Sequence, residues 1–163
     1  MAPSKTFNMA GLMTSNIVIP NDELREVWKR RHYSFEHPLS IVAAQAAYTS
    51  GHEWLAQLKS YLDENFEFTR EFLSKHLPKA VFRVPEATYL AWVDVGAYLP
   101  VGVDSSLYFA SKAGVLLEGG DLFVSNADGY IRLNLACPRS MLKEGLNRIA
   151  ATLNDGHPSF SDQ

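Results

Sequence analysis

The chain has 163 residues, 47% of them hydrophobic and 20% charged, enough apolar material for one folded domain of ordinary size and a composition that argues against disorder. A net charge of −3 argues against nucleic acid or an anionic membrane surface as partner. The single cysteine, Cys137, rules out an internal disulfide, and no apolar run approaches the roughly 20 residues of a membrane span.

In chain order, residues 1–16 are turn-rich. They lack a signal peptide's apolar stretch, so a soluble, cytoplasmic protein is expected. Asn16-Ile17-Val18-Ile19-Pro20 reads as a short buried strand, with three β-branched residues stopped by Pro20. Asn21 or Asp22 then caps a helix over residues 23–31, acidic early and basic late, as the helix dipole prefers. Pro38 opens an alanine-rich helix over residues 39–48. After Ser50-Gly51 comes a long helix, about residues 52–76. In it Leu55, Leu58, Leu62 and Phe66 recur at three- or four-residue steps, and Glu71 and Lys75 are spaced for an ion pair. Pro78 ends it.

The second half changes character. Residues 81–84 and 88–95 read as strands, 105–113 as a short helix stopped by Gly114, and 115–117 and 130–136 as further strands. Pro138 suits the first turn of a last helix, with Leu142, Leu146, Ile149 and Leu153 on one face and Asn154-Asp155-Gly156 at its end. Residues 1–35 therefore read as a piece of one structure, 36–156 as an α+β module, and 157–163 as a flexible tail.

Two cationic residues stand out. Lys5 has Phe7, Met9 and Leu12 nearby. One reading is a solvated surface lysine. The other is an amine in an apolar setting, where burial disfavours the ammonium and leaves a nucleophile suited to a Schiff base. Arg132 sits in an alternating strand: Ile131, Leu133 and Leu135 share one face, Arg132 and Asn134 the other. That is either the polar outer face of a half-exposed sheet, or a guanidinium held rigidly beside a cleft, where its planar fork matches a carboxylate. His32, His37, His52, His76 and His157 show no metal-ligand spacing, so no metal is expected. Cys137 reads as a small packed residue, and Tyr89 and Trp92 as core.

The segment Ala2-Pro3-Ser4-Lys5-Thr6-Phe7-Asn8-Met9-Ala10-Gly11-Leu12 resembles the pyridoxal-phosphate (PLP) lysine segment of fold-type I enzymes. Specifically, it resembles that of the carbon–sulfur β-lyases of the MalY/PatB type, the cystathionine β-lyases, within the class I/II aminotransferase superfamily. The likeness continues in family order through Ser15–Pro20, Pro38-Leu39-Ser40, Glu86–Asp94 and Gly129–Ser140. It implies that Lys5 holds PLP, that Arg132 grips the substrate α-carboxylate, and that Ser4 contacts the cofactor phosphate. Many aminotransferases have a phosphate-binding arginine eight residues after the lysine. Met13 stands there, which fits the lyase branch better.

The implied fold is the small C-terminal domain of such an enzyme, a long helix with a mainly antiparallel sheet covered by helices, preceded by the tail end of the large α/β domain. The implied reaction is β-elimination of cystathionine- or cysteine-type amino acids to pyruvate, ammonia and a thiol. A class I/II aminotransferase and a non-catalytic folding or association module stay open as alternatives. The family's acid opposite the pyridine nitrogen and its ring-stacking aromatic precede the lysine, and only four residues precede Lys5 here. The chain is thus expected to be a fragment, inactive alone and of doubtful PLP occupancy. Because fold-type I enzymes are typically dimers, a homodimer, or association through the surface a missing domain would cover, is also implied.

Overall fold

The computed structural model describes residues 2–32 and 35–155. The expected flexible tail at 157–163 lies outside the described residues. The chain folds as two compact units, Met1–Ser60 and Tyr61–Gln163.

The first unit opens with α1 (Pro3–Thr6), where Pro3 takes a first-turn position that needs no backbone donor. A 3-10 turn follows at Ala10–Leu12. Asn8 and Met13 flank it in the left-handed region, at φ 53° and 47°. Next is α2 (Asp22–Arg31). Asn21 rather than Asp22 is its cap, its side chain accepting from the Leu24 backbone N–H at 2.9 Å. α3 (Pro38–Ser50) starts at Pro38 as expected, and the Ser40 hydroxyl donates to the Leu12 carbonyl at 2.7 Å, tying the helix to the N-terminal turn.

The strand expected at residues 16–20 does not form. Ile17 and Val18 are 57% and 71% exposed. β-branched residues favour extended backbone, but a strand exists only when a neighbour completes its ladder, and the described residues of this unit contain no other strand.

α4 (His52–His76) spans the boundary between the units and has the expected limits. Within it Glu67 pairs with Arg70; the expected Glu71–Lys75 pair is not formed among the described residues. The rest of the second unit is an α+β arrangement. It comprises β1 (Val81–Phe82), β2 (Leu90–Asp94), α5 (Ser105–Lys112), β3 (Glu118–Gly119), β4 (Tyr130–Asn134) and α6 (Arg139–Asp155). The sheet order is β1-β2-β4-β3, antiparallel throughout. Ala91, Val93, Ile131 and Leu133 form its buried face. They meet Phe66 and Leu73 of α4, Leu77 just after it, Phe109 of α5, and Leu142, Leu146, Ile149 and Leu153 of α6.

Two details correct the expectation. The last strand pairing β4 is Glu118–Gly119, not residues 115–117. The Val115 N–H bonds the Phe109 carbonyl as the chain leaves α5 through Gly114 at φ 61°, so Val115 is part of the helix exit and not of the ladder. Trp92 is not core either. It lies half-buried on the outer face, directly across from Arg132.

Candidate functional site

Arg132 projects from the centre of β4 on the face opposite the core, as its alternation with Ile131 and Leu133 requires. Its fork is held on two sides. Nε donates to Glu118 Oε2 at 2.7 Å, and Nη2 pairs with the same oxygen. The guanidinium carbon lies 4.0 Å from the centroid of the Phe123 ring, a cation–π contact. Trp92 completes the surround, stacking on Tyr130 at 5.6 Å and meeting Phe123 edge-on at 6.0 Å. The outer face of the sheet is therefore an aromatic platform carrying one oriented cation. The residue is partly buried, with 27% of its side chain exposed.

Sequence reasoning missed Glu118 and Phe123. An acid one strand over from an outward arginine is a natural cross-strand partner. The strand expected at 115–117 stopped one residue short of Glu118, and no local pattern marks Phe123.

The chain just beyond β4 is fixed by a buried polar residue. Asn65 of α4, fully buried, donates from Nδ2 to the carbonyls of Leu135 at 2.8 Å and Cys137 at 3.2 Å. Its Oδ1 accepts from Arg139 Nε at 2.6 Å, while the Arg139 backbone N–H reaches the Tyr61 hydroxyl at 2.7 Å. These bonds set where β4 ends and α6 begins. Next to Arg132 a groove of about 930 Å³ opens between residues 114–118, the Leu133–Asn134 end of β4, and α6. It exists because β3 pairs only with Arg132 and Ile131 and leaves Asn134 unpaired on that side. Cys137 and Met141 are in its wall. Burial pushes the Cys137 thiol up, which keeps it protonated and a poor nucleophile.

Lys5 lies in the first unit, in α1, and is exposed; Ser4 beside it is half-buried. The Lys5 side chain makes no hydrogen bond or ion pair with the described residues. The apolar enclosure expected of Phe7 is not there. Phe7 turns towards the helices, stacking on Trp54 at 5.8 Å and meeting Tyr48 edge-on at 6.1 Å. The turn itself is held by the Met9 N–H to Ser4 carbonyl bond at 2.8 Å. The structure thus presents an exposed amine on a fixed turn in one unit and a clamped guanidinium in the other.

No family model matches the chain. Known proteins do. Cystathionine β-lyase PatB of Bacillus subtilis is 36% identical over 157 residues, covering 94% of this chain and 41% of that protein. Protein MalY of Escherichia coli is 29% identical, covering 88% and 38%. The crystal structure of the PLP-bound C–S lyase from Staphylococcus hominis superposes with a TM-score of 0.90 at 49% identity, over 94% of this chain and 41% of that one. The chain spans about two fifths of the length of the relatives it matches.

Proposed function

We propose that this chain, which corresponds in sequence and fold to the C-terminal portion of the PLP-dependent C–S β-lyases of the MalY/PatB type, carries two of that reaction's residues: Lys5 as the cofactor-binding base and Arg132 as the carboxylate clamp. On this reading residues 1–35 close the large cofactor domain and residues 36–156 supply interdomain helices and the small domain. The observation that carries the proposal is the oriented guanidinium of Arg132, presented on a strand of a fold that matches a C–S lyase over 94% of this chain and 41% of that one.

The residues present fit PLP at one end. Lys5 offers an exposed amine for the cofactor's carbonyl carbon, and the hydroxyl of the adjacent Ser4 suits a phosphate oxygen. PLP, when bound, supplies the electron sink that makes loss of the substrate's Cα proton accessible.

Two roles fall to residues of this chain. With PLP in place, Lys5 would hold the cofactor until the substrate amine replaced it, and its freed amine would then accept the Cα proton as a general base. Arg132 pairs with the α-carboxylate and fixes the direction of the Cα–H bond. The thiolate leaves from Cβ, and hydrolysis of the remaining three-carbon unit gives pyruvate and ammonia. The substrate class is a cystathionine- or cysteine-type amino acid. A homodimer with shared sites belongs to the same reading.

The test replaces the matching segment of PatB by this chain, loads the chimera with PLP, and reduces it with borohydride. The Lys5 peptide is expected to carry the pyridoxyl mass. Lys5→Ala should abolish that label and lower pyruvate release from cystathionine by at least about 10²-fold, the low end for loss of a general base. Labelling of another lysine, or full activity in Lys5→Ala, overturns the assignment. The 163-residue chain assayed alone should release no pyruvate.

A further inference from the structure

We infer that Glu118 and Phe123 are positioning residues for Arg132: they hold its guanidinium so that one edge faces outward for a ligand carboxylate. The inference rests on the reading of Arg132 as the clamp. A guanidinium has five N–H donors in a rigid fork. Glu118 Oε2 takes one from Nε and one from Nη2, leaving the Nη1 pair and the second Nη2 hydrogen. Those remaining donors form the end-on edge, which accepts a carboxylate bidentately. Glu118 fixes rotation within the guanidinium plane, and the Phe123 ring beneath fixes the plane itself.

Both partners are themselves anchored. Glu118 is the direct cross-strand neighbour of Arg132, and the Gly119 N–H next to it donates to the Ser106 hydroxyl at 2.8 Å. Phe123 closes a tight turn, its N–H bonding the Gly120 carbonyl at 2.9 Å, with its ring edge-on to Trp92. The Glu118 side chain is half exposed, so water screens its repulsion of an incoming carboxylate while the hydrogen bonds still set direction. An arginine already ordered before the ligand arrives loses less freedom on binding.

The experiment uses the PLP-loaded PatB chimera carrying this chain and two unreactive probes read by the cofactor's absorbance: L-alanine, which has the carboxylate, and ethylamine, which lacks it. Glu118→Ala should weaken L-alanine binding about tenfold, the loss expected for roughly one charge-assisted hydrogen bond, and leave ethylamine unchanged. Glu118→Gln, which keeps an acceptor for Nε, should restore most of the loss. Phe123→Leu should show the same selectivity for the carboxylate.

Unchanged or tighter L-alanine binding in Glu118→Ala would mean that Glu118 competes for the clamp, and overturns the inference. Equal weakening of both probes would mean a merely structural role, and overturns it as well. If Arg132→Ala binds L-alanine like the parent enzyme, the clamp reading itself fails, whatever Glu118 does.

Discussion

Replacing Asn65 by alanine is expected to cost more stability than any surface change in the chain. The side chain is fully buried and makes three hydrogen bonds, to the carbonyls of Leu135 and Cys137 and from Arg139 Nε. Leu135 is itself fully buried, so its carbonyl loses a partner that water cannot replace, a penalty of about 1–3 kcal/mol. The Cys137 carbonyl and the Arg139 guanidinium, both partly exposed, recover some solvation and add about 1 kcal/mol between them. The sum is about 3 kcal/mol, or roughly 6–12 °C in Tm for a chain of this size.

The assay is thermal or urea unfolding of the 163-residue chain followed by circular dichroism. Glu144→Ala serves as reference. It breaks the exposed i,i+4 pair with Arg148 and should cost under about 0.5 kcal/mol. Equal losses in the two variants would refute the claim that Asn65 pins the junction of β4 and α6.

Two glycines should respond in opposite directions to alanine. Gly129 has φ +80°, and an added Cβ would lie 2.6 Å from Gly96 Cα, so Gly129→Ala should destabilise by about 1–3 kcal/mol. Gly145, inside α6 with nothing within 4 Å, should gain up to about 1 kcal/mol as alanine; a matching sign for the two in unfolding experiments would contradict this. The Cys137 thiol, pushed up by burial, holds its proton where an unfolded thiol has begun to lose it. That contribution to stability is fully present below the unfolded thiol's value, near about pH 8.5, and is lost as pH rises through the folded value. Alkylation by iodoacetamide near that pH should be slower in the folded chain than in urea, and equal rates would disprove the burial argument.

Local chemistry made much of the fold legible. α4 has the limits that the Ser50-Gly51 break and Pro78 mark, because punctuation and periodicity act within a few residues of chain. The α6 face of Leu142, Leu146, Ile149 and Leu153 is buried as its spacing requires. The alternation of Ile131 and Leu133 against Arg132 in β4 likewise puts Arg132 on the face away from the core, as it is in the structure. Resemblance across the Lys5 and Arg132 segments named the two residues, but local chemistry alone left each of them between a bland and a functional reading.

What the tertiary structure decided depends on partners far apart in sequence. Ile17-Val18-Ile19 has a strand's composition, yet no strand forms, since a ladder needs a second edge that local sequence does not contain. Strand β3 begins only at Glu118, and the Val115 N–H bonds the Phe109 carbonyl at the exit from α5, a local contact no propensity expresses. Asn65 reads as one polar residue on an amphipathic helix; its role appears only when residues 70 or more positions away bring their carbonyls to it. The holding of Arg132 by Glu118 and Phe123 is of the same kind. Alternation fixes which way a side chain points, but only the packed register of neighbouring strands determines what it meets.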